Sequence, residues 1–167
     1  MRTILTVAAA LLVTTAAIAQ GKASQKFIIE AIQGNFAGIR MGQLAETNGH
    51  EDSVITYGQM LITDHGDANE KAQQAANAIG VTSPPTGPNA KQKATHDKMA
   101  KKTGPAFDRE FVAHMIKDHQ QEIAAHQKAA KQKDAAGEYA RSVAHSGDRV
   151  HWFRRMATTR SDRSRPV

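Results

Sequence analysis

The chain has 167 residues, with 22 Lys and Arg against 16 Asp and Glu for a net charge of +6, only 5% aromatic residues and no cysteine. The missing cysteines exclude a disulfide framework, a thiol nucleophile and lipid attachment at a mature N-terminal cysteine. Scarce aromatics, none interleaved among the basic residues, speak against a nucleic-acid partner and against the aromatic girdles of a transmembrane barrel.

Residues 1–19 read as a signal peptide. Met1-Arg2 gives a positive start, Ile4 to Ile18 is apolar, and Ala17-Ile18-Ala19 is a small-residue cleavage signal. The apolar run is short for a membrane span and carries Thr14 and Thr15, which favours a cleaved leader over an anchor. Cleavage after Ala19 makes Gln20 the first mature residue of a protein exported to a bacterial periplasm or beyond. No later segment is apolar enough for a transmembrane span. Residues 20–158 suit one domain, since about 150 residues bury about two-thirds of their unfolded surface. Residues 159–167 form a basic tail. From Arg154 onward, Arg154, Arg155, Arg160, Arg163 and Arg165 face only Asp162. A solvated tail is the plain reading, and contact with the anionic envelope is the sharper one.

The first mature helix is expected from Ser24 to Asn48, with Ile28, Ile32, Phe36, Ile39 and Leu44 at helical spacing and Asn48-Gly49 as a stop. Gly34, Gly38 and Gly42 interrupt it, each weakening an exposed helix by about 1 kcal/mol relative to alanine. Interleaved Gln33, Asn35, Arg40 and Gln43 exclude a lipid-facing stripe, so close packing on a neighbouring helix is expected to compensate. A second helix runs from Glu51 or Asp52 to Ile79, ended by Gly80 and a proline-rich loop over 81–89. Ala90 to Lys102 reads as a short helix with Met99 as its apolar contact. Thr103-Gly104-Pro105 opens a central helix, with proline suited to the first turn, and Lys128, Lys131 and Lys133 fall near the cation-favouring C-terminal end. A turn over Asp134 to Gly137 leads to a last helix, Glu138 to Thr158. Tyr139, Val143, Val150 and Phe153 mark its inner face, His151 its flank, and His145 lies farther out. Almost nothing carries a strand pattern. The fold class is all-α, four main helices and one short one.

The chemistry concentrates on the central helix. At about 100° per residue Phe107, Phe111, Met115, Ile123 and Ala129 gather on one side, and His119, Glu122 and His126 fall near the middle of that stripe, with His114 and Asp118 on its shoulder. Such groups aimed at a core need partners, because burying them unpaired is costly. The phrase is repeated: Tyr57, then Leu61-Ile62-Thr63-Asp64-His65, matches Phe111, then Met115-Ile116-Lys117-Asp118-His119, at the same spacing. Two similar helices, each turning a histidine inward, are expected to lie side by side. Two explanations stay open. One is a transition-metal site of His65, His119, Glu122 and His151, a nitrogen-rich set suited to zinc or copper over iron. In that reading His126 lies two turns beyond His119. The other is a metal-free core in which Asp64, Asp118 and Glu122 hold the histidines by hydrogen bonds. No Ser-His-Asp arrangement or phosphate loop competes, so an enzyme is the weaker expectation. His50 and His96 read as exposed.

Met41-Gly42-Gln43-Leu44-Ala45, Met60 through Asp64-His65, Gly104-Pro105-Ala106-Phe107-Asp108, Asp118-His119 and His151 together resemble a family of exported bacterial proteins of unknown function, often labelled outer membrane proteins. The resemblance covers about Phe27 to His151 and implies a ferritin-like four-helix bundle. Asp108, Phe111, Met115 and Asp118-His119 are also similar to the motif of a ferritin-like family linked to copper handling, which has two adjacent histidines where this chain has Asp118-His119. The first family often carries a glutamate where this chain has Gly38. A di-iron centre wants glutamates from two helices and Glu-x-x-His pairs from two others. Here His119-x-x-Glu122 reverses that order, and Glu30 and Glu46 lie about two turns away on either side. A di-iron centre and a ferritin-like redox enzyme are therefore disfavoured. A metal-binding module is preferred, with a metal-free envelope or stress-related scaffold as the alternative. The sequence leaves monomer and homodimer both open.

Overall fold

The structure, a computed structural model, describes the backbone of residues 4–144 and the side chains of residues 21–143. It contains five helices, α1 (Ile4–Asn48), α2 (Asp52–Ala78), α3 (Ala90–Met99), α4 (Gly104–Ala129) and α5 (Ala135–Ala144), and no strand among the described residues. Among the described residues, no helix is long and apolar enough to cross a membrane. Two boundaries differ from expectation. α1 runs without a break from Ile4, so Ser24 is not where it starts. α5 begins at Ala135 rather than Glu138, because the Asp134 carboxylate accepts the Gly137 N–H at 3.1 Å and draws the intended turn into the first helical turn. Arg141 closes the other side of that corner, donating to the Ala130 and Gln132 carbonyls at 2.7 and 3.0 Å. Ser24 on α1 reaches the same corner, hydrogen-bonded to Gln132 and Asp134. Val150, Phe153, His145, His151 and the basic tail lie outside the described residues.

α1 packs along α2 and on α4, α5 packs on α2 and α4, and α3 bridges α1 and α4. Glycine sets the α1–α2 approach: a Cβ on Gly42 would lie 2.5 Å from the Gly58 carbonyl oxygen, and one on Gly58 would lie 2.7 Å from the Gly42 carbonyl oxygen. Backbone meets backbone there. Gly42→Ala is therefore expected to destabilise by about 1–3 kcal/mol through overpacking, against the roughly 1 kcal/mol that helix propensity alone would add. Chemical denaturation reads the sign directly, and a stabilised variant would contradict the close approach.

α3 is held at the α4 end by polar contacts. Lys102 meets Glu110 at 2.7 Å and Lys98 meets it at 3.6 Å. The Lys102 hydrogen bond in particular holds the Glu110 carboxyl below its usual range. Asn48 donates to the Lys102 carbonyl at 2.7 Å. Asp108, buried in the Gly-x-x-Phe-Asp segment, accepts the backbone N–H groups of His50 and Glu51 at 3.0 and 2.9 Å. That motif carboxylate secures the turn between α1 and α2.

The core falls into two apolar clusters. One gathers Met41, Leu44, Val54, Tyr57, Leu61, Met99, Phe107, Phe111 and Met115. The other gathers Ile28, Ile32, Ala72, Ala76, Ala136 and Tyr139. Between them in register, on α1, α2 and α4, stand the buried polar residues Asn35, His65, Asn69 and His119. This polar layer is where the histidines of the repeated phrase meet.

Candidate metal centre

The repeated phrase explains how α2 and α4 present their histidines. Tyr57 faces Phe111 with ring centroids 6.1 Å apart, and eight residues later His65 faces His119 at 5.8 Å. Equivalent positions pair at both ends, so the two helices run in the same direction here, about 12 Å of rise from one pair to the next. Leu61 and Met115, the shared apolar positions between them, are buried as well.

His65 is 2% exposed and His119 5%. Glu122, one turn beyond His119, is half-buried. One ligand atom from each of the three lies within 4.8 Å of the other two. The structure thus brings together His65, His119 and Glu122; His151 lies outside the described residues. His126 does not join the group. Its Nδ1 donates to the Glu122 carbonyl at 2.8 Å, and its ring packs between Phe27 and Tyr139, with centroids at 5.2 and 5.7 Å. The turn between His119 and His126 therefore separates two histidine environments.

Each site imidazole is tied back through Nδ1. The His119 Nδ1 lies 3.0 Å from the Met115 carbonyl oxygen, which can only accept, so the proton sits on Nδ1. The His65 Nδ1 lies 3.0 Å from the Asn35 amide oxygen, while the Asn35 amide nitrogen donates to the Tyr139 hydroxyl at 3.2 Å. In neutral rings held this way the lone pair is on Nε2. Two imidazole nitrogens and a carboxylate are the atom types that ligate transition metals.

Glycine again supplies the room. A Cβ on Gly38 would sit 2.5–2.6 Å from atoms of the His65 ring, and one on Gly34 would sit 3.3 Å from the Glu122 carboxylate. Of the three interrupting glycines, only Gly42 serves helix-to-helix contact. Gly34 and Gly38 clear space for the site, so His65 occupies what a side chain at position 38 would fill. A groove of about 570 Å³ between α1, residues 88–96 and α4 carries Glu30, Arg40, His96, His114 and Asp118 and reaches Gly38 and Met115 at the edge of this layer. His50 is exposed as expected, whereas His96 is half-buried. Asn35 and Tyr139 were not singled out as site residues by spacing. Tyr139 registered only as an inner-face residue, and a lone asparagine between glycines carries no signal.

A family model described as a domain of unknown function (DUF4142) matches residues 10–145. The chain belongs to the DUF4142 family. Searches of curated proteins and of solved structures return no match. The DUF4142 match takes in His65, His119, Glu122, Asn35 and Tyr139 and stops before His151. Its description assigns no chemistry to any of them.

Proposed function

We propose that this DUF4142 domain is an exported, ferritin-like four-helix bundle that binds a single transition-metal ion in its polar layer, zinc or copper in preference to iron. His65, His119 and Glu122 are the ligands, with His151 as a fourth. The observation that carries the reading is the convergence of His65 and His119 from two helices, each imidazole held through Nδ1, beside one carboxylate. Two imidazoles and a carboxylate are donor types that zinc sites use. One carboxylate is too few for the acid-rich surroundings of a di-iron pair. The helix contacts support the bundle, with α1 and α5 each touching both α2 and α4.

The competing reading is a metal-free polar layer in an envelope scaffold, and the same Nδ1 hydrogen bonds favour it. Protein purified from the periplasm without a histidine tag separates the two. Intact mass is expected to begin at Gln20, and elemental analysis to find about one zinc or copper per chain. A retained leader would contradict export. A metal-free protein that takes up neither ion on dialysis would leave the hydrogen-bonded layer as the explanation.

A further inference from the structure

Asn35 and Tyr139 are not metal ligands, yet they form a continuous chain to one. The Tyr139 hydroxyl on α5 accepts from the Asn35 amide nitrogen on α1 at 3.2 Å, and the Asn35 amide oxygen faces the His65 Nδ1 on α2 at 3.0 Å. Asn35 is 5% exposed and Tyr139 also 5%. An asparagine amide has two faces, and its orientation decides what His65 does. With the oxygen toward Nδ1, the imidazole carries its proton there and its lone pair on Nε2. With the amide reversed, the nitrogen would donate to Nδ1 and move the ring proton to Nε2, which removes the lone pair from that atom. In the structure the amide nitrogen donates to the Tyr139 hydroxyl and the oxygen faces Nδ1, which is the first arrangement. His119 needs no such device, because its Nδ1 partner is a backbone carbonyl of its own helix.

We infer that Asn35, oriented by Tyr139, is the positioning residue that fixes the tautomer of His65 and thereby presents Nε2 to the metal site. The inference rests on the metal reading for its consequence but not for its geometry. Loss of an outer partner that orients a ligating histidine typically weakens metal binding by about 10–100-fold. The same range is expected here. Tyr139 acts at one remove, so its loss should fall toward the lower end.

The test uses the full mature chain and two readouts. Long-range proton–nitrogen NMR identifies which His65 ring nitrogen carries the proton in the apo protein, and calorimetry gives the affinity for zinc chloride. The variants are Asn35→Leu, which removes the acceptor at similar volume, Asn35→Asp, which restores an oxygen, and Tyr139→Phe, which removes only the anchoring hydroxyl. The wild type should carry the proton on Nδ1. Asn35→Leu should lose that single tautomer and bind zinc about 10–100-fold more weakly, and Asn35→Asp should recover both. A merely structural role would lower the melting temperature without moving the tautomer. A wild-type proton on Nε2 would overturn the inference, as would wild-type tautomer and affinity in Asn35→Leu. Should Asn35→Leu fail to fold, an unchanged tautomer and affinity in Tyr139→Phe would overturn it as well. A wild type with the Nδ1 proton that binds no zinc contradicts the metal reading alone, and the tautomer of the variants still decides the role of Asn35.

Discussion

Phe111→Ala is expected to lower the unfolding free energy by about 3–5 kcal/mol, the range for deleting a buried aromatic ring from a packed core. The ring is fully buried, stacked on Phe107 with centroids 5.3 Å apart and set edge-on to Tyr57 at 6.1 Å. Four helices contribute to the cluster around it, through Leu44, Tyr57, Met99 and Met115, so a void there cannot close by moving one helix. Ile123→Ala is the matched control. Ile123 is 41% exposed, and its truncation should change stability by no more than about 0.5 kcal/mol. Urea denaturation of the two variants beside the wild type checks both values. A loss at Phe111 no larger than at Ile123 would mean that the apolar cluster does not hold α2 and α4 together.

The second large effect is on binding. His65→Ala and His119→Ala should each weaken zinc binding by more than about a hundredfold, because removing a ligand should exceed the 10–100-fold cost of losing an outer partner. Glu122→Gln should also weaken binding, since it keeps the shape and removes the negative charge. Binding by the wild type should weaken on acidification, because protons compete with the metal for imidazole lone pairs. Calorimetric titration of zinc and copper into the apo proteins measures all of these. Equal affinity in wild type, His65→Ala and His119→Ala would reject the site.

Much of this arrangement was legible in the sequence, for a definable reason. The apolar phrase shared by Tyr57–His65 and Phe111–His119 has helical period, and a histidine on its midline has nowhere to point but inward. Glu122 followed from its place one turn beyond His119. Lateral neighbours were not legible. Helical period says which face of α1 is inward but not that Gly38 would lie under the His65 ring, or that Asn35 would meet both His65 and Tyr139. Ile123 was misplaced for a related reason. The buried line of α4 runs from Met115 through His119 to Ala129 by way of half-buried Glu122 and His126. Ile123 sits about 100° round from Glu122, on the shoulder. The Nδ1 partners, Asn35 and the Met115 carbonyl, were not among the groups the sequence pointed to. A backbone carbonyl and a lone asparagine leave no mark in a sequence pattern.

The most direct measurement is an anomalous difference map at the zinc edge, from crystals of the mature protein grown with one equivalent of zinc. A single strong peak is expected between α2 and α4, within about 2.0–2.2 Å of the His65 Nε2, the His119 Nε2 and a Glu122 carboxylate oxygen. A fully occupied peak elsewhere, or none while His65 and His119 keep their present hydrogen bonds, would show that the polar layer is not a metal site.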